Sequence, residues 1–188
     1  TPPRADFLVC ESTYGDREHQ NGSPEQALAN VVNRVTKRGG SIVFPAFAIG
    51  RTQTLMYYLR QLEDSQRIPR IPVYVDSPMA LSATDLYLRH HEDHDLEFRK
   101  VEDGAGGDPL DVHEFHLTRT VEDSKAINDV KTPCLIISAS GMASGGRVLH
   151  HLLKRLPDKR NAVVLAGFQA EGTRGRALLE GAKVLHIH

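Results

Sequence analysis

The chain has 188 residues, 40% hydrophobic and 25% charged, with a formal net charge of −1. That mixture supports a sizeable buried core and argues against gross disorder. It excludes a globally basic nucleic-acid binder, and no apolar run approaches the roughly 18 residues of a membrane span.

In chain order, residues 7–10 (FLVC) form a short apolar run that predicts a strand, and residues 11–16 (ESTYGD) follow as a polar loop. Ser23-Pro24-Glu25-Gln26 predicts a helix start, with Ser23 as N-cap, Pro24 at the first helical position and Gln26 closing a capping box. Ala27, Val31 and Val35 give that helix one apolar face, and Gly39-Gly40 stops it. Residues 41–46 (SIVFPA) read as a buried strand. Arg51 then opens a helix with Leu55, Leu59 and Leu62 on one face. Residues 71–76 (IPVYVD) predict a third strand, and Ser77-Pro78 caps a helix reaching Tyr87 or beyond. Residues 90–121 look polar and irregular, with a surface loop at 104–109.

A short helix is predicted at 123–127, then a strand from Leu135, a loop of small residues at 138–146 and a helical pattern from Arg147. A strand at 162–166, a helix at about 173–180 and a strand at 183–188 complete the order. Strands and helices alternate, and several strands are continuous apolar runs. The expected fold class is α/β, a mostly parallel sheet with helices on both faces. The first residue is Thr1 and the last predicted strand runs to His188, so the chain is expected to be a piece of a larger protein. Cys10 and Cys134 sit in apolar runs and read as reduced, buried thiols of an intracellular, cytoplasmic protein.

One pattern recurs. A strand, a glycine-bearing loop and an arginine at a helix start appear in PAFAIGRTQTL, ISASGMASGGRVL and LAGFQAEGTRGRALL, giving Arg51, Arg147, Arg174 and Arg176. In a parallel sheet these loops share the carboxyl edge, where ligands bind. A first-turn arginine opposes the helix dipole by roughly 0.3–1 kcal/mol. A polyanion bound at that edge would reverse the cost, whereas the plainer reading pairs the arginines with nearby carboxylates.

Other candidates are weaker. GMASGGRV at 141–148 is a near miss to a nucleotide-binding P-loop, with Arg147 in place of lysine and Val148 lacking the hydroxyl that holds magnesium. The run His90-His91-Glu92-Asp93-His94 fails the H-x-H-x-D-H pattern because Arg89 stands where histidine is required. His90 and His94 make only two ligands, and a solvated helix end is the plainer reading. No metal ligand set is therefore assigned. His113, His116, His186 and His188 are similarly weak. His150 and His151 divide between packing and solvent. Glu11, just after an apolar run, is placed to orient a histidine or a metal-bound water, or is an ordinary acid at a turn.

Glu11-Ser12-Thr13-Tyr14-Gly15 resembles motif A of the β-CASP branch of the metallo-β-lactamase superfamily. PAFAIGR (45–51), DSPMA (76–80), SASGMASGGR (138–147) and AGFQAEGTRGR (166–176) follow in that family's order. The closest resemblance is to RNA-processing nucleases related to RNase J and to the nuclease subunit of the cleavage and polyadenylation machinery. It implies a domain inserted in, and closing over, a metallo-β-lactamase domain whose zinc ions serve phosphodiester hydrolysis of RNA. On this chain it implies residues 1–22 and 182–188 as flanks from the host domain and 23–181 as the β-CASP domain. Glu11 inherits the role of supporting a histidine of a later motif. The zinc-ligand motif and that later motif are not in this sequence, so the zinc ligands are expected outside it, and this piece is expected to bind no catalytic zinc and cleave no RNA by itself. RNA, the host domain and a second copy of the chain are the expected partners. Arg51, Arg147, Arg174 and Arg176 are expected to line a phosphate channel, with Ser140, Gly141 and Met142 near the scissile group. A nucleotide-binding module and a non-catalytic interaction scaffold are the alternatives.

Overall fold

The computed structural model describes residues 3–16, 18, 22–104 and 108–187. In order, the elements are α1 (Pro24–Lys37), β1 (Ile42–Pro45), α2 (Arg51–Asp64), β2 (Val73–Asp76), α3 (Pro78–Arg89), α4 (Leu96–Glu102) and β3 (Phe115–Leu117). They continue with α5 (Val121–Ala126), β4 (Leu135–Ser138), α6 (Val148–Arg155), β5 (Ala162–Val163) and α7 (Arg174–Leu179). Single 3-10 turns stand at His91–Asp93 and Ile127–Asp129.

The strands form one sheet in the order β3-β2-β4-β1-β5, and every pairing is parallel. β4 sits centrally, with Ile136 beside Val43 on one side and Tyr74 on the other. Alternate residues face opposite ways. Phe44, Val75 and Ile137 therefore join Val32, Met56 and Leu59 beneath α1 and α2. Val43 and Ile136 join Val148 and Leu152 of α6 on the opposite face. Both faces are covered, which is why these strands read as unbroken apolar runs.

Helix starts follow the sequence closely. Ser23 Oγ accepts from Gln26 N at 3.2 Å and Ser77 Oγ from Ala80 N at 3.3 Å. The reciprocal half of the box at Gln26 does not form. Its side chain donates to Asn30 Oδ1 and accepts from Arg67 instead. The full capping box lies at Thr120 and Asp123, and the helix it opens begins at Val121, two residues before the predicted start.

Four expectations change. Residues 7–10 are not a strand: Phe7, Leu8 and Val9 are 92%, 85% and 96% exposed, and Cys10 is exposed rather than buried. An apolar run becomes a strand only where a neighbour supplies the ladder, and no described residue does. Residues 183–187 are likewise irregular, although Ile187 packs into the α6 core. His188 lies outside the described residues. The stretch 90–121 holds α4 and the edge strand β3, whose Phe115-His116-Leu117 is too short and too broken by its histidine to read as an apolar run. Part of the predicted 104–109 loop, 105–107, also lies outside the described residues. No helix among the described residues is long and apolar enough to cross a membrane.

Candidate functional site

Because every ladder is parallel, the segments following all five strands emerge on one edge. Three of them meet there. Gly141 lies against Phe47, so closely that a Cβ would fall 2.9 Å from the ring and 3.0 Å from the Phe47 nitrogen. Gln169, buried, donates through Nε2 to the carbonyls of Gly141 and Gly167, both at 3.0 Å. Gly175 N donates to Met142 O at 2.9 Å. The recurring sequence pattern thus becomes one contiguous wall made of the 46–51, 138–147 and 166–176 segments.

The arginines do not share a single fate. Arg147 is committed to the fold: Nη1 donates to Asp76 Oδ1 at 2.8 Å, and the guanidinium also reaches the carbonyls of Thr118 and Arg119. The expectation that it faces phosphate changes accordingly, and for this residue the carboxylate pairing holds. Arg176 makes an i,i+4 pair with Glu180 at 2.6 Å on a partly exposed helix face. Arg174 donates to the carbonyls of His186 at 2.6 Å and Ser144 at 3.2 Å, and its charge meets no carboxylate among the described residues. Arg51 is half-buried beside Gly167, and its guanidinium has no partner among the described residues.

Two groups escaped sequence reasoning. Arg119 follows β3 on the same edge, exposed and with no partner for its guanidinium among the described residues. It was hidden because its strand was not legible. Asp76 at the end of β2 is the other. Its fully buried carboxylate also accepts from Ser124 Oγ at 2.6 Å and His151 Nε2 at 2.7 Å. Burial by itself would raise its pKa, but the hydrogen bonds from His151, Ser124 and Arg147 outweigh that and hold it at about 2. His151 is as buried as its partner, so this acid–histidine pair ties β2 to α6 and reaches no solvent-borne substrate. His150 is exposed, the division expected for the two histidines.

The 141–148 loop is not built as a P-loop. Ser140 Oγ accepts from the Ser144 and Gly145 N–H groups at 3.1 and 3.3 Å, occupying donors that a phosphate would need. Val148 is buried in the core. Ser140 and Met142 are partly exposed and Gly141 is buried.

Glu11 is exposed. Its carboxylate accepts from Thr13 N at 2.6 Å, and hydrogen bonds from the Thr13 side chain and then its backbone lower its pKa. Tyr14, in the same turn, packs edge-on against Phe168 with ring centroids 6.0 Å apart, bringing motif A to the 166–176 segment. Among the described residues, groups able to gather three metal-ligand atoms occur only from the end of α3 to the end of α4.

The Beta-Casp domain family model matches residues 52–178. The chain is 34% identical over 189 residues to Ribonuclease TTHA0252 of Thermus thermophilus, covering 99% of this chain and 43% of that protein. It is 35% identical over 188 residues to Transcription termination factor FttA of Methanocaldococcus jannaschii, covering 98% and 29% respectively. An RNase J-like protein of the same organism is 33% identical over 181 residues, covering 95% and 41%. The chain therefore spans less than half the length of each of these relatives.

Proposed function

The chain belongs to the Beta-Casp domain family, and from that premise we propose that it is the RNA-facing lid of a zinc-dependent ribonuclease. Residues 1–22 and 182–188 are the crossings into a host metallo-β-lactamase domain, and 23–181 are the lid. The similarity to a named ribonuclease and to an RNase J-like protein supports RNA as the substrate class. The observation that carries the reading is the placement of Arg51 and Arg119, whose guanidinium groups have no partner among the described residues, on the edge where all five carboxyl-end segments emerge.

The sheet order sets the scale. Arg119 follows the edge strand β3, Arg51 follows β1, and Arg174 and Arg176 flank Gly175, which bonds to the loop after the central strand β4. Three strand spacings of about 4.8 Å separate β3 from β1, the strands that precede Arg119 and Arg51, by about 14 Å. That matches an extended polyanion better than a single phosphate. Arg174 and Arg176 complete the row, since carbonyl and i,i+4 contacts on an exposed face exchange at little cost for phosphate. Arg147 sets the loop and does not touch the ligand.

The zinc pair implied by this reading would supply the activated water from the host domain. Its ligands belong to that domain, so no step is derived through it. Glu11 positions a host-domain histidine through its exposed carboxylate.

Fluorescence anisotropy with a labelled single-stranded RNA tests this. Arg51→Ala and Arg119→Ala should each weaken binding several-fold. Each should also reduce the slope of log affinity against log salt by about 0.7 for every phosphate no longer neutralised. An affinity indifferent to salt and to both substitutions would overturn the reading.

A further inference from the structure

Between α3 and α4 the chain makes one 3-10 turn, His91–Asp93, and neither that turn nor α4 contributes a fully buried side chain. Hydrophobic burial alone holds this excursion weakly. Two histidines nevertheless converge there on one carboxylate. His91 Nδ1 is 2.6 Å from Glu102 Oε1, and His94 Nδ1 is 3.3 Å from Glu102 Oε2. The two rings meet edge-on with centroids 5.4 Å apart.

The His94 ring is fixed on two sides. It packs against Phe98 at 4.3 Å between centroids, its side chain is only 6% exposed, and its Nε2 lies 2.7 Å from the carbonyl oxygen of Tyr87. A carbonyl oxygen only accepts, so Nε2 carries the hydrogen. The neutral ring then presents a bare Nδ1 lone pair to a carboxylate oxygen, which has nothing to donate. Two acceptors face each other across 3.3 Å, and a positive species belongs between them, either a second proton or a metal ion.

The geometry points to the metal. All three ligand atoms lie within 4.8 Å of one another. Zinc at about 2.0–2.1 Å from each ligand in tetrahedral geometry needs them roughly 3.3 Å apart, which small side-chain rotations reach. Two imidazoles and a carboxylate are a zinc donor set, and a ligating histidine usually gives its other N–H to a carbonyl or carboxylate, as His94 does to Tyr87. We propose that His91, His94 and Glu102 bind one zinc ion, with a fourth position left for water, and that the ion clamps the turn to the end of α4. From sequence the pair considered was His90 with His94. The structure instead turns His90 to Glu92 at 2.9 Å and supplies His91 and Glu102.

The test is a zinc titration of the metal-free chain against a chromogenic zinc indicator, in a Cys10→Ser background so that the exposed thiol takes no part. One equivalent should bind, and more weakly as pH falls, because the imidazoles must shed their protons. Glu102→Gln, which keeps the side-chain shape, and His94→Ala should each abolish that equivalent, while His90→Ala should leave it intact. Circular dichroism confirms that Glu102→Gln remains folded. Cobalt in place of zinc should show the strong visible bands of a tetrahedral site, lost in the same variants. Failure of the parent chain to compete for zinc would overturn the proposal in favour of the second proton. So would a stoichiometry indifferent to Glu102→Gln.

Discussion

Three donors converge on the buried carboxylate of Asp76, and their effect has a definite sign with pH. The group titrates near 3.8 in ordinary surroundings and at about 2 in the folded protein. Its folded pKa is the lower, so it stabilises the fold above the unfolded value, and that stabilisation is lost as pH falls from about 4 towards 2. At about 1.4 kcal/mol per pK unit the contribution is roughly 2–3 kcal/mol. Asp76→Asn should cost about 3 kcal/mol or more at neutral pH, since it leaves Arg147 half-buried without its counter-charge. Urea unfolding of both proteins across pH should show the gap narrowing in acid. A gap of constant size would contradict this account. None of this was legible locally: DSPMA was recognisable as a motif, but the donors to its acid stand 48, 71 and 75 residues away.

At the scale of elements, the seam between the 138–147 and 166–176 segments depends on a close approach. A Cβ on Gly175 would fall 1.7 Å from Gln169 Oε1 and 3.0 Å from the Met142 carbonyl oxygen. Gly175→Ala should therefore expel the Gln169 side chain and break its two hydrogen bonds to Gly141 and Gly167. The expected loss is about 1–3 kcal/mol. Hydrogen exchange should accelerate at 141–147 and 167–175 while β1 and β4 stay protected, and unchanged exchange there would rule the seam out. The helices around these segments were legible because their signals are local: Ser77-Pro78 marks a start whatever the helix packs on. β3 was not, because an edge strand needs no continuous apolar run.

At the scale of the molecule, one exposed apolar stretch stands out. Phe7, Leu8 and Val9 are almost wholly in water, and their unpaired backbone invites pairing with another chain. The 188-residue chain should self-associate as concentration rises, and Phe7→Ser combined with Val9→Ser should suppress it. Sedimentation velocity at several concentrations reads this directly. A chain that stays monomeric throughout would dissociate the apolar run from self-pairing. In the proposed lid, the host domain covers the same stretch.

Patterns along the chain were enough to read the layer architecture and the family. Continuous apolar strands between amphipathic helices require a parallel sheet covered on both faces, and five motifs in fixed order identify the Beta-Casp domain. Both signals are carried by neighbours along the chain. Which cations lack a partner among the described residues, and which histidines converge, is settled only in three dimensions. Arg51 and Arg147 look equivalent in sequence, each opening a helix after a glycine loop. One has no partner among the described residues, while the other is bound to an aspartate 71 residues earlier. His91 and His94 likewise gain a third donor only because α4 brings Glu102 back to them. Periodicity records which face of an element is buried, but a charge finds its partner in space, and that distance is set by the whole fold.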